Sequence, residues 1–221
     1  MALQADNEHV VRPGMVYISM TTEVGTIYSK AELTALYATC KELALPLYID
    51  GARLASALTC DCCDLSPEEM AALCDVFTVG GTKGGALFGE AIVFTNPSLG
   101  KRFRYFMKRH GGMLAKGRLL GVQFEALLQD DLYFTLGRQS NRHAMAIRAA
   151  LEAKGLELTV DSPSNQQFVK LHPAQRAKLE QDFVLEFNAP LQDGCSEMRI
   201  CTSWATTEEQ VQKLIAAIAA L

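Results

Sequence analysis

Asp50 closes the short apolar run LPLYID, and Lys83 stands between two glycine pairs in GGTKGG, just past the β-prone run DVFTV. A solvated loop lysine needs no such setting, whereas a lysine that a bulky ligand must reach does. In parallel α/β sheets, ligands bind outside the carboxyl ends of the strands, so two side chains 33 residues apart (83 − 50) can share one crevice. A lysine and a carboxylate so placed suit a pyridine-aldehyde cofactor. The amine forms a Schiff base, and the carboxylate keeps the pyridine nitrogen protonated so that the ring absorbs carbanion charge. The glycines beside Lys83 would let the backbone pass close to such a ligand. Taken alone, Lys83 also reads as an ordinary loop residue, and Asp50 as a cap for the helix after it.

The elements that must position this pair alternate between strand and helix. MVYISM, residues 15 to 20, is β-prone. SKAELTALYATCKEL opens with Ser29 as helix cap and Glu32 three residues on, and places Leu33, Leu36 and Tyr37 on one face. LSPEEMAALC starts a second helix, with Ser66 as cap and Pro67 in the first turn. DVFTV and EAIVFT flank the lysine loop, and apolar runs alternating with helices read as buried strands of an α/β sheet. After Asn96 the chain turns basic, then helical nearly throughout, with a break near Asp130. Leu119, Leu120, Val122, Phe124, Leu127 and Leu128 fit one buried helical face. QQFVKL and MRICTS read as short strands, and Val211, Leu214, Ile215, Ile218 and Leu221 form the stripe of a final helix. The expected organisation is a partial large α/β domain over residues 1–130 and a smaller α+β domain over 131–221.

Three segments, YIDGARLASAL, DVFTVGGTKGGALFGEAIVF and RFRYFMKRHGGMLAKGRLLGVQFEALL, closely resemble the pyridoxal-phosphate-dependent threonine aldolase and β-eliminating lyase family of the aminotransferase fold. YISMTTEVGTIYSKAEL and RICTSWATTEEQV look like the same family's flanking segments. The resemblance implies an aminotransferase-like α/β fold, a small amino-acid substrate and a homodimer or homotetramer with sites at subunit interfaces. It implies that Lys83 carries the Schiff base to pyridoxal 5'-phosphate, that Asp50 meets the pyridine nitrogen, and that Arg53 and Arg199 grip the substrate carboxylate. Lys108, Arg109 and Lys116 resemble a basic patch near an active site across a subunit interface. The arginine roles agree with chemistry, because a planar fork of donors matches a carboxylate in two parallel bonds. Such a grip decides which bond at the substrate's Cα stands perpendicular to the ring and is weakened. Cleavage of Cα–Cβ gives an aldehyde and glycine; loss of Cα–H with a leaving group on Cβ gives elimination.

Against the family pattern, this sequence begins where a member would be well into its large domain. The segment resembling the phosphate-holding Ser/Gly/Thr loop and the ring-stacking histidine is not matched, and no glycine-rich loop before Tyr17 replaces it. The expectation is a fragment, a chain completed by a separate N-terminal half, or a non-catalytic relative that kept the fold. An aminotransferase or cysteine desulfurase is the other enzyme reading, but the desulfurase needs a mobile cysteine in a loop after the lysine, which is not seen.

The bulk properties narrow the remaining classes. The chain has 221 residues, 49% hydrophobic and 21% charged, with a net charge of −4, enough to bury a real core and without a basic footprint for nucleic acid or an anionic membrane. No apolar run approaches the length of a membrane span, and MALQADNEHVVRPG has no signal-peptide core. Seven cysteines, an odd count without an export signal, suggest reduced thiols in the cytoplasm. Cys60, Cys62 and Cys63 crowd together, but the other thiols lack the spacing of a structural zinc site, so no metal is expected. His110 lies beside the basic patch, and His143 reads as a polar surface residue of a long helix.

Overall fold

The computed structural model describes residue 9 and residues 11–221; most of the lead read above for a signal peptide lies outside the described residues. The chain opens with β1 (Val16–Ser19) and α1 (Lys30–Glu42). Ser29 caps α1 in the expected reciprocal box with Glu32, whose carboxylate accepts from Ser29 N–H at 2.9 Å. Then come β2 (Leu47–Asp50), α2 (Leu54–Leu58), α3 (Pro67–Ala72), β3 (Val76–Gly80) and β4 (Glu90–Phe94). They form a four-stranded sheet in the order β1-β2-β3-β4. Leu33, Leu47, Ile49, Met70 and Phe77 are buried in one core, with Leu36 and Tyr37 packed against it.

β1, β2 and β3 are parallel, but β4 returns antiparallel to β3. A parallel return needs a crossover of about a dozen residues or more, and the lysine loop between Gly80 and Glu90 is too short for one. β4 is also not the buried strand the apolar run suggested. Ile92 is 41% exposed, as befits the outer strand of this sheet.

The chain continues through α4 (Phe103–Arg109) and α5 (Arg118–Leu128) to α6 (Leu132–Ala153). The break expected near Asp130 is present: Asp130 and Asp131 take left-handed backbone angles, φ 51° and 61°, which aspartate tolerates better than most residues. The single buried face read for α5 is not found. Only Leu127 is buried, while Leu119, Val122 and Leu128 are exposed. The apolar residues divide between two sides, and only Leu120, Phe124 and Leu127, spaced i, i+4, i+7, turn toward the lysine loop.

β5 (Gln166–Leu171), α7 (Pro173–Leu179), β6 (Glu186–Pro190), β7 (Ser196–Cys201) and α8 (Glu208–Ala219) complete the chain. The second sheet is antiparallel, in the order β5-β7-β6. Val211, Leu214 and Ile218 of α8 are buried against it, with Ile215 and Leu221 flanking, as the stripe foretold. His143 is a correction: it is not a surface residue but 2% exposed, packed between α6 and α8, with Nε2 3.3 Å from the Glu208 carboxylate. Its place on α6 lies on the face that packs against α8.

Asp75, just before β3, ties the far end of the first sheet. Its buried carboxylate accepts from Lys41 Nζ at 2.6 Å, Leu47 N–H at 3.0 Å and the Asn96 amide at 3.3 Å. Burial works against its charge, but these donors outweigh it and hold the carboxyl below its ordinary range. Asp75→Ala should therefore lower unfolding stability by about 2 kcal/mol or more, since Leu47 N–H is left buried and unpaired. A folded-state pKa below the unfolded one gives stability that is present at neutral pH and lost as pH falls through the folded value. The gap between the parent and Asp75→Asn in denaturant midpoints should accordingly shrink below about pH 4.

Candidate active site

The carboxyl ends of β2 and β3 approach each other closely. Gly51 N–H donates to Thr78 Oγ1 at 2.8 Å, and Gly80 N–H donates to Gly51 O at 2.9 Å. A Cβ on Gly51 would fall 1.9 Å from the Thr78 carbonyl, and one on Gly80 would fall 2.3 Å from that of Ala52. Glycine at both positions lets the residue before Gly51 and the loop after Gly80 face one space.

Asp50 is held from two sides. Its Oδ1 accepts from Ala52 N–H at 2.9 Å, and its Oδ2 accepts from the Tyr17 hydroxyl. Tyr17 is fixed in turn by stacking on Tyr48, with ring centroids 5.3 Å apart and planes 8° apart. The hydrogen bond to Asp50 is the main cause that lifts the Tyr17 phenol to about 12, so it stays a donor at any physiological pH. The Ala52 bond closes a local Asx-type turn and is not the helix cap expected of Asp50, because α2 has Arg53 as its N-cap and no side-chain cap bond. It leaves further lone pairs of the carboxylate open.

Lys83 is exposed at the mouth of its loop. The neighbouring glycines serve packing more than ligand approach. A Cβ on Gly84 would lie 2.5 Å from the Tyr133 ring and 2.8 Å from the Gly80 carbonyl, and Gly85 takes φ 119° against Leu127 and Leu136. Tyr133, 1% exposed, donates from its hydroxyl to Gly80 O at 3.1 Å, and burial pushes its phenol pKa up. From the second sheet's side, Trp204 Nε1 donates to Thr82 O at 3.1 Å.

Asp50, Arg53 and Lys83 line one cleft of about 120 Å³, together with Thr21 and Glu23. Arg53 and Lys83 also border a space of about 10 Å³ beside Ser56, Tyr133 and Asn165, room for roughly one water. The Arg53 Nε is buried without a hydrogen-bond partner. Arg199 lies on β7 and lines neither space; its guanidinium meets Glu186 and Gln166. Lys108 and Arg109 on α4, and Lys116 before α5, are exposed and border neither space, as is His110. Sequence alone does not point to Tyr17, Glu23, Tyr133 or Trp204, because the parallel register, the segment after β1, the packing of α6 and the segment after β7 bring them here.

The crowded thiols do not converge. Cys60 Sγ donates to Ser56 O at 3.2 Å and Cys63 Sγ to Leu65 O at 3.6 Å. Among the described residues no group of three or more His, Cys, Asp or Glu side chains could hold a metal ion, and no helix is long and apolar enough to cross a membrane.

A parallel sheet with an antiparallel outer strand, a lysine loop at its carboxyl end and a small antiparallel sheet packed behind define the α/β fold of aminotransferase-like pyridoxal-phosphate enzymes. An aminotransferase from Staphylococcus aureus superposes with a TM-score of 0.72 at 14% identity, over 99% of this chain and 60% of its own. The family follows from closer matches. The beta-eliminating lyase family model matches residues 1–175, and the chain belongs to that family, the one that includes the low-specificity threonine aldolases. The threonine aldolase of Leishmania major superposes with a TM-score of 0.95 at 46% identity, over 97% of this chain and 63% of its own. The low specificity L-threonine aldolase of Pseudomonas aeruginosa is 35% identical over 218 residues, 97% of this chain and 61% of the relative. The chain thus spans somewhat under two thirds of the length of these relatives.

The packing at Gly84 gives a direct test of how the lysine loop is held. Gly84→Ala should cost about 1–3 kcal/mol, because the Tyr133 ring or the loop must shift. It should also change the fluorescence of Trp204, the chain's single tryptophan. Unchanged emission and stability would mean that the loop is not held against Tyr133.

Proposed function

We propose that this chain carries the lysine, carboxylate and arginine part of a pyridoxal-phosphate lyase site that cleaves a β-hydroxy amino acid to glycine and an aldehyde. The observation that carries the reading is the convergence of Lys83, Asp50 and Arg53 on one cleft at the strand ends. The residues fit such a cofactor. Lys83 offers an exposed primary amine, Asp50 a carboxylate whose orientation two donors fix, and Arg53 an uncommitted buried N–H. Bound there, pyridoxal 5'-phosphate would supply the electron sink that weakens a bond at the substrate's Cα.

The rest is work for the chain's own side chains. Lys83 Nζ is the nucleophile toward the aldehyde. Asp50 opposes positive charge at the ring nitrogen, and the Tyr17 and Ala52 bonds keep its plane from turning. Arg53 and Arg199 grip the α-carboxylate and so set which Cα bond stands perpendicular to the ring. Glu23, in the same cleft, brings a second carboxylate near the substrate's polar end. Lys108, Arg109 and Lys116, remote from this cleft, would serve a neighbouring copy's site in a homodimer or homotetramer. Residues 1–130 would form the cofactor-bearing part and residues 131–221 the smaller domain that presents Arg199.

Two measurements test this. Borohydride reduction after incubation with pyridoxal phosphate should fix the label on Lys83; a labelled peptide containing Lys30 or Lys116, with Lys83 untouched, sinks the assignment. In an active assembly, Asp50→Asn should lower turnover roughly 10²-fold or more, because the charge opposite the ring nitrogen is lost while the shape is kept. Turnover within about twofold of the parent would leave Asp50 with only its local turn to Ala52.

A further inference from the structure

Arg199 lies on β7, the middle strand of its sheet, and both neighbouring strands reach for its guanidinium. Glu186 of β6, its cross-strand partner, accepts from Nε at 3.0 Å and also from Nη2. Gln166 of β5 accepts from Nη1 through Oε1 at 3.1 Å. Gln166 is fully buried, and its own amide nitrogen lies 3.4 Å from Thr21 Oγ1, on a residue that lines the cleft with Asp50 and Lys83. A guanidinium has five N–H donors in one rigid plane. Three are committed here, two are left over, and bonds at three nitrogens prevent the plane from turning.

We propose that Glu186 and Gln166 are positioning residues that hold Arg199 so that its two uncommitted donors receive the α-carboxylate of the amino acid. This rests on the role given to Arg199 above. The pair adds little to stability, since the Glu186 side chain is 58% exposed. What it sets is direction. Its charge alone would work the other way, because a carboxylate already on Arg199 competes with an incoming one. The two effects predict opposite signs when Glu186 is removed.

The test uses the full chain without added cofactor, with glycine as the probe and methylamine as the carboxylate-free control. Binding is read from the Trp204 indole N–H resonance, whose donor bond to Thr82 O adjoins Lys83. Hydrogen exchange at the Arg199 Nε–H, assigned by its loss in Arg199→Lys, reports the hold itself. Glycine should shift the indole signal and methylamine should not. Glu186→Ala should speed Nε–H exchange and raise the half-saturating glycine concentration roughly tenfold, with the denaturant midpoint almost unmoved and Glu186→Asp restoring part of the affinity. Gln166→Ala should act in the same direction, and Glu186→Ala alone decides the matter if that buried substitution unfolds the chain. Unchanged or tighter glycine binding in Glu186→Ala, with Arg199→Lys still weakening it, overturns the positioning role and leaves the clamp standing. A glycine titration that Arg199→Lys does not weaken, or the absence of any glycine response, overturns the clamp and the positioning role together.

Discussion

Gly51 and Gly80 stand where the carboxyl ends of β2 and β3 converge, each in a place where a Cβ would strike the backbone opposite. The bond from Gly80 N–H to Gly51 O continues the sheet beyond its regular ladder. Because of it, the residue that ends β2 and the loop that leaves β3 open onto the same space. Asp50, Arg53 and Lys83 then line one cleft. A larger residue at either glycine would part the strand ends and separate the amine from the carboxylate.

That arrangement is supported from behind by a buried polar seam. Ser56 on α2 donates to Asn141 Oδ1 at 2.6 Å, and Asn141 returns a bond to Ser56 O at 2.9 Å. Asn165 N–H donates to Ser56 Oγ at 3.1 Å, its amide donates to Thr202 O at 2.6 Å, and Thr202 Oγ1 donates to Ser140 O at 2.7 Å. An apolar seam would permit many sliding contacts of similar energy. Directional bonds in a low-dielectric setting select one, and an unmatched group there is costly. The close fit of Gly137 against the Ala55 carbonyl fixes the same register between α2 and α6. Thus the sheet that bears Arg199 holds a defined place beside the sheet that bears Lys83.

Much of this was legible in the sequence where local chemistry decides. Ser29 with Glu32 forms the reciprocal cap its spacing announces, and Ser66 caps its helix as expected, with Glu69 completing a box beyond that expectation. The α8 stripe is buried because a 3.6-residue period leaves one apolar side. Asp50 and Lys83 could be placed at strand ends because each follows an apolar run. Relations between distant segments were not legible. Nothing local tells that β4 runs antiparallel, that Tyr17 lies beside Tyr48, or that α5 divides its leucines between two sides. His143 was misread for the same reason, since a polar residue in a helix looks solvated until the packing partner, here α8, is known. Gln166 and Glu186 gain their role only from the strand order β5-β7-β6, which no spacing encodes.

The bond from Trp204 to the Thr82 carbonyl bears on how freely parts of this fold can be recombined. The lysine loop belongs to the first sheet by sequence, yet one of its tethers comes from the segment after β7. A hybrid that kept residues through α5 and borrowed the second sheet from a distant homologue would inherit the lysine without its tryptophan anchor. The two sheets are therefore poor modules for shuffling, and successful crossovers should carry the 201–206 segment and the lysine loop from one parent.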